Sequence, residues 1–184
     1  MTIKLSDFVA EYLVKSGIRH LFTVTGGGSM HLNDSFGHRE GLKSVYCHHE
    51  QACAIAAEAY ARVDNRMAAV CVTTGPGGIN ALNGVCGAYV DSIPMLVISG
   101  QVKRETTARL SGLPLRAVGD QEFDITRAAA SMTKYAVMVT EPQDILYHLK
   151  KAIFLATHGR PGPVWLDIPT DVQSASVDTE ALRD

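Results

Sequence analysis

The 184-residue chain has no cysteine pair of CxxC type, no long apolar run and no excess of charge of either sign. Its four cysteines, Cys47, Cys53, Cys71 and Cys86, fall inside apolar strand or helix patterns. That excludes a zinc ribbon and argues against a disulfide framework, so buried thiols in a reducing cytoplasm are expected. No apolar stretch approaches the roughly 18 residues of a membrane span. The opening MTIKLSDFVAEYL carries Lys4, Asp7 and Glu11 within an amphipathic pattern, unlike the uninterrupted apolar region of a secretory leader. Net charge is -2, with lysines and arginines scattered rather than clustered. Nucleic acid and acidic membrane surfaces are therefore excluded as partners, leaving a small molecule or another protein. The length suits one domain with a substantial core and is too short for two ordinary ones.

What is present is an alternation of short apolar runs with helical patterns. Ser6 is placed to cap a first helix that Gly17 ends. A strand at about 20–25, the Gly26-Gly27-Gly28 turn and a short helix from about Ser29 follow. The run LKSVYCHH reads as a strand leading to Glu50, and EQACAIAAEAYAR as an alanine-rich helix. Next come the strand MAAVCVTT, the turn GPGG, the helix INALNGVCGAYVD and the strand PMLVISG, with Pro94 at its start. The connection from Gln101 to about Gly119 is too long for an ordinary loop and reads as functional or mobile. A helix near 123–130, a strand near 135–139, a helix opened by Pro142 and the strand PVWLDIP complete the pass. Six strands separated by helices predict a doubly wound α/β fold: a mainly parallel sheet with helices on both faces.

Three turns each follow a strand and open a helix: Gly26-Gly27-Gly28, His49-Glu50 and Gly75-Pro76-Gly77-Gly78. Glycines there let a ligand come close to backbone, at the carboxyl ends of strands where open α/β sheets bind ligands. A dinucleotide fingerprint would need glycine at 31 or 80, where His31 and Asn80 stand, and no Walker lysine follows either glycine turn. A non-catalytic nucleotide-binding module still stands as an alternative. His48 and His49, adjacent at a strand end, point to opposite faces and so do not easily chelate one metal; a packing or hydrogen-bonding role for His49 is expected. Glu58, about two turns beyond Glu50, reads as an exposed or packing residue.

TVTGGGSMHL, HHEQACAIAAEAYAR, TTGPGGINALNGVCGAYVDSIPMLVISGQV, GDQEFDI and HGRPGPVWLDIPTDVQ, in that order and spacing, resemble the N-terminal pyrimidine-binding domain of thiamine diphosphate enzymes, the acetolactate synthase group above all. The resemblance covers nearly the whole chain. It implies a 2-keto acid carboligase or lyase in which the cofactor carries the carbanion chemistry. In that family one glutamate hydrogen-bonds N1′ of the aminopyrimidine and favours the imino tautomer, whose exocyclic nitrogen takes the thiazolium C2 proton. Glu50 matches that position and is the expected catalytic residue. By the same resemblance Pro76, Gly77 and Asn80 line the aminopyrimidine, Thr25 and Gly26 form the adjoining wall, and Gln101 and Gln121 lie on the substrate side. For the two glutamines an ordinary solvated loop position is an equal alternative.

The family's decarboxylases tend to carry a His-His pair in the loop after PMLVISG. QVKRETTARLSGLPLRAVGD has none, which tilts the expectation from a decarboxylase toward carboligation. Thr25 stands where acetolactate synthases more often have proline, and Asp120 where they often have an aromatic residue, so donor and acceptor stay open. The family holds the diphosphate through Mg²⁺ on a separate domain with a GDG and NN pair, which does not occur here. Residues 1–172 are accordingly expected to form the pyrimidine-binding domain, with 173–184 beginning a linker to a middle domain, FAD-bearing or not. A second subunit would complete the site in a homodimer or tetramer, and the 184-residue piece alone would be inactive.

Overall fold

The computed structural model describes all of residues 1–184. In chain order the elements are β1 (Thr2–Lys4), α1 (Leu5–Lys15), β2 (His20–Thr23), α2 (Met30–His38), β3 (Lys43–Tyr46), α3 (Glu50–Asp64), β4 (Ala68–Val72) and α4 (Pro76–Val90). They continue with β5 (Met95–Gln101), α5 (Ala108–Ser111), α6 (Ile125–Ala129), β6 (Ala136–Met138), α7 (Ile145–Thr157), β7 (Pro163–Pro169), α8 (Thr170–Gln173) and β8 (Ser176–Asp178).

The six expected strands form one sheet in the order β3-β2-β4-β5-β7-β6, and every pairing in it is parallel. The alternation of side chains along each strand divides the core in two. Ala69, Cys71, Leu96, Ile98 and Leu166 face one layer, built on α1, α2 and α7. Val70, Val72, Met95, Val97 and Trp165 face the other, built on α3, α4 and α6. Because β4 and β5 are buried on both faces, their sequences read as continuous apolar runs rather than as alternations. After β2 the chain steps to one side for β3 and returns to the other for β4, so the carboxyl ends of β2 and β4 border the crevice where the winding reverses.

The structure departs from expectation in several places. Helix α1 begins at Leu5, one residue before Ser6, with Lys4 in the capping position and no side-chain cap. Ser6 is instead buried, its hydroxyl accepting a 2.8 Å hydrogen bond from Ser35. Gly17 does end the helix, at φ +84°. Cys53 and Cys71 are buried and Cys47 is half-buried, but Cys86 lies on the outer face of α4 and is exposed, because an apolar pattern does not say which side of a helix meets the sheet. Residues 101–119 contain a 3-10 turn at Arg104–Thr106 and the short helix α5. That segment is tied down: Arg104 Nε donates to Asp171 at 2.7 Å, and Glu122 accepts the backbone N–H groups of Ala108 and Val118 at 2.6 and 2.7 Å.

A small antiparallel sheet joins the two ends of the chain, with Thr2, Ile3 and Lys4 opposite Asp178, Val177 and Ser176, and Val177 wholly buried. Three-residue strands of mixed polarity carry no periodicity from which to foresee them.

Candidate functional site

Glu50 is the first residue of α3 and is half-buried. His49 caps that helix, its Nδ1 accepting the N–H of Gln51 at 3.1 Å, the hydrogen-bonding role expected for it. Helix α4 packs closely beside α3 through Ala54, Ala57, Ala81 and Gly84, and this approach brings Asn80 to Glu50. Asn80 Nδ2 donates to Glu50 Oε2 at 2.9 Å, which fixes the carboxylate while leaving Oε1 without a protein donor. Beside Oε1 is Gly77: a Cβ added there would stand 3.3 Å from Oε1 and 2.8 Å from the Thr73 methyl group. Glycine at 77 thus keeps one face of the acid free of side chain.

The three turns converge on Thr73, the residue after β4. Its hydroxyl accepts the N–H of Gly28 at 3.0 Å, and a Cβ on Gly26 would overlap the Thr73 Cβ at 2.4 Å. Gly75 has φ +57°, and a Cβ there would lie 2.0 Å from the carbonyl oxygen of Gln121, so only glycine permits this corner. Pro76 opens α4, where no N–H is missed. A cleft of about 590 Å³ lies against these turns, lined by Gly26, Thr73, Thr74, Val102, Asp120 and Gln121 among others. A neighbouring hollow of about 650 Å³ shares Lys103, Glu105 and Thr170 with it, but is lined by the internally satisfied Arg104–Asp171 pair.

Of the residues singled out from sequence, Glu50, Gly77 and Asn80 are in mutual contact, Gly26 meets them through Thr73, and Thr25 is exposed at the end of β2. Gln121 is exposed on the cleft wall with φ +56°. Gln101 differs: it is only 1% exposed, so the solvated-loop alternative does not hold for it. Its Oε1 accepts from Thr74 Oγ1 at 2.5 Å and from Val102 N at 3.0 Å, while its Nε2 donates to the Phe123 carbonyl at 2.9 Å and to Asp167 at 3.1 Å. Glu58 pairs with Arg62, which also reaches Asp91 at the end of α4, a packing role where α3 and α4 lie side by side.

Three residues escaped the sequence reading. Thr73 gave no signal beyond its place between strand and glycine turn. Gln173, wholly buried in α8, donates through Nε2 to the carbonyls of Gly28 and Ile168, each at 2.7 Å, and so holds the first glycine turn from behind. Asp167 did leave a trace, being the one charged residue of PVWLDIP. It is fully buried, accepts from Ser99 Oγ at 2.6 Å, and is pushed up to about 7 by loss of hydration, against the pull of its hydrogen bonds from Ser99 and Gln101.

The profile of the family described as thiamine pyrophosphate enzyme, N-terminal TPP binding domain, matches residues 3–131. The chain belongs to that family. It is similar to the acetolactate synthase large subunit of Buchnera aphidicola from Schizaphis graminum, at 38% identity over 167 residues, covering 91% of this chain and 28% of the relative. The large subunit from Lactococcus lactis is 36% identical over 172 residues, 94% of this chain and 28% of its own. The chloroplastic acetolactate synthase of Arabidopsis thaliana is 35% identical over 173 residues, 92% and 24%. The chain therefore spans about a quarter of the length of these relatives. Family membership makes thiamine diphosphate the ligand of the domain and sets aside the nucleotide-module reading. The site fits that ligand: two glycine corners lack the side chains that would fill the approach, and one oxygen of a fixed carboxylate stays available as an acceptor.

Proposed function

We propose that the chain is the aminopyrimidine-binding domain of a thiamine diphosphate-dependent 2-keto acid carboligase of acetolactate synthase type, completed by a diphosphate-binding domain on a second polypeptide surface. The observation that carries this is the Glu50 carboxylate, held by Asn80 and left open beside Gly77. The cofactor supplies the carbanion chemistry when bound. Glu50 shares a proton with the weakly basic ring nitrogen N1′ at Oε1. Asn80 prevents the acid from rotating away. Thr25, Gly26, Pro76 and Gly77 form the walls of the ring site, and Gln121 faces the 2-keto acid from the cleft.

In this reading Mg²⁺ and the diphosphate belong to the completing surface, any FAD to a middle domain, and the working unit is a homodimer or tetramer. Residues 1–172 form the domain and 173–184 lead out of it, even though Ser176–Asp178 first pair with β1. Unpaired thiols suit the reducing cytoplasm. The test is turnover of pyruvate by the complete enzyme with and without thiamine diphosphate and Mg²⁺. Cofactor-dependent formation of a condensed 2-hydroxy-keto acid, with the 184-residue chain alone inactive, is expected. Release of the simple aldehyde as sole product would make it a decarboxylase, and cofactor-independent turnover would end the reading.

A further inference from the structure

Asp167 lies in the middle of β7 with no exposed surface and no cation within ion-pairing distance. A buried carboxylate without a counter-charge is a poor device for stability, since apolar residues of similar volume generally do as well or better. What it does here is dictate the orientation of one amide. Ser99 Oγ, which itself accepts the Trp165 indole N–H at 2.7 Å, donates to Oδ1, leaving Oδ2 to accept from Gln101 Nε2. With its amide nitrogen drawn toward Asp167 and the Phe123 carbonyl, Gln101 must present Oε1 to Val102 N–H and to the Thr74 hydroxyl. Turning the amide over would set two donors against each other at Val102 and two acceptors at Phe123. The two ends of this arrangement are both parts of the cleft. Thr74 precedes the strained Gly75 corner, and Phe123 lies two residues after Gln121, whose carbonyl touches that same corner.

We infer that Asp167 and Gln101 are a positioning pair that locks the Thr74–Gly75 turn to the 119–123 loop and thereby sets where Gln121 stands in the cleft. Neither side chain touches substrate; both act through Thr74 and the Phe123 carbonyl. The inference rests on the carboligase reading of the cleft. It separates the two glutamines of the sequence into one that faces the cleft and one that aims it.

The test uses the complete enzyme with pyruvate, comparing wild type with Asp167→Asn, Gln121→Ala and the double variant. Asparagine at 167 keeps the volume but offers a single acceptor: turned to Ser99 it sets a donor against Gln101 Nε2, and turned to Gln101 it leaves the Ser99 hydroxyl without its acceptor. Displacing the loop by about 1 Å is expected to lower kcat/KM by about 100-fold, chiefly through KM for the 2-keto acid. The KM for thiamine diphosphate should stay within a factor of about three, because Gly77 and Asn80 belong to α4 rather than to the loop. The double variant should be no worse than the poorer single one. Ile145→Val, buried in the opposite core layer on α7 and outside this network, serves as the structural control, lowering the melting temperature while leaving the substrate KM in place. If Asp167→Asn does not fold, Gln101→Met reads the same split. Unchanged substrate KM, or losses that simply multiply in the double variant, would overturn the inference. A wild-type enzyme without cofactor-dependent turnover would instead remove the carboligase reading, and this inference with it.

Discussion

Two glycines one turn apart on α4 give opposite predictions for the same substitution. A Cβ on Gly84 would lie 2.6 Å from the Cβ of Ala54, 2.8 Å from the backbone N of Ile55 and 2.9 Å from the backbone C of Ala54. None of these atoms can swing aside, so α3 and α4 must separate by roughly 1 Å to restore ordinary contact distances. Alanine gains up to about 1 kcal/mol of helix propensity over glycine, whereas overpacking of this kind costs about 1–3 kcal/mol. The clash wins, and Gly84→Ala should lose roughly 1–2 kcal/mol, a fall of roughly 2–8 °C in melting temperature for a chain of this size. At Gly87 the nearest atom to an added Cβ is the Glu58 carboxylate oxygen at 3.4 Å, at the far end of a flexible side chain. There the propensity gain is unopposed, and Gly87→Ala should raise the melting temperature by roughly 2–4 °C. The assay is thermal unfolding of both variants by circular dichroism under one buffer. The same separation would stretch the Asn80–Glu50 hydrogen bond, so Gly84→Ala should also reduce activity of the complete enzyme while Gly87→Ala should not. Equal stabilisation by both substitutions would refute the claim that the two helices meet at Gly84.

The remaining predictions test other parts of the account. Asn80→Ala removes the donor that orients Glu50 and should cost about 1.5–3 kcal/mol in turnover, roughly 10- to 100-fold, with little change in melting temperature; steady-state kinetics with saturating cofactor decides it. Asp167 binds its proton more tightly folded, with a value of about 7, than unfolded, near 3.8. Between those values the folded state holds the extra proton, so this group's contribution is greatest below pH 3.8 and is lost as pH rises to about 7. At about 1.4 kcal/mol per tenfold change in proton affinity the loss is at most about 4 kcal/mol. His148, whose half-buried ring is held below its ordinary 6.5 by loss of hydration, acts in the opposite sense, so the measurement is the difference in urea stability between wild type and Asp167→Asn across pH 4–8. A flat difference would contradict the buried, uncompensated state of Asp167. Finally, Cys86 should react with a maleimide in the native protein while Cys53 and Cys71 do not, because burial shields both and raises both thiols, Cys71 to about 12; mass spectrometry before and after denaturation counts the labels.

Much of this was legible in the sequence, for identifiable reasons. The central strands of the sheet were readable because β4, β5 and β7 are buried on both faces and so appear as largely apolar runs, broken in β7 by Asp167 alone among charged residues. Glu50, Gly77 and Asn80 could be named through the family resemblance of HHEQ and TGPGG-x-N; the strand-to-helix turns explain only why they come together, since turns after parallel strands share one edge of the sheet. What could not be read was which face of an element meets which neighbour. Gln101 ends a strand and points inward, Cys86 sits in an apolar helix and points outward, and both look alike in a one-dimensional pattern. Likewise Thr73 and Gln173 act through single hydrogen bonds to backbone far away in sequence, and nothing in their immediate neighbours marks such a contact.

The central claim is that Glu50 shares a proton with the aminopyrimidine of thiamine diphosphate. It is tested most directly by the rate at which the thiazolium C2 proton of the bound cofactor exchanges with deuterium, read by proton NMR after acid quench of the complete enzyme. With Glu50→Gln that exchange should slow by about 100-fold or more, while cofactor affinity changes by only a few-fold. Exchange at the wild-type rate in the glutamine variant would contradict the account.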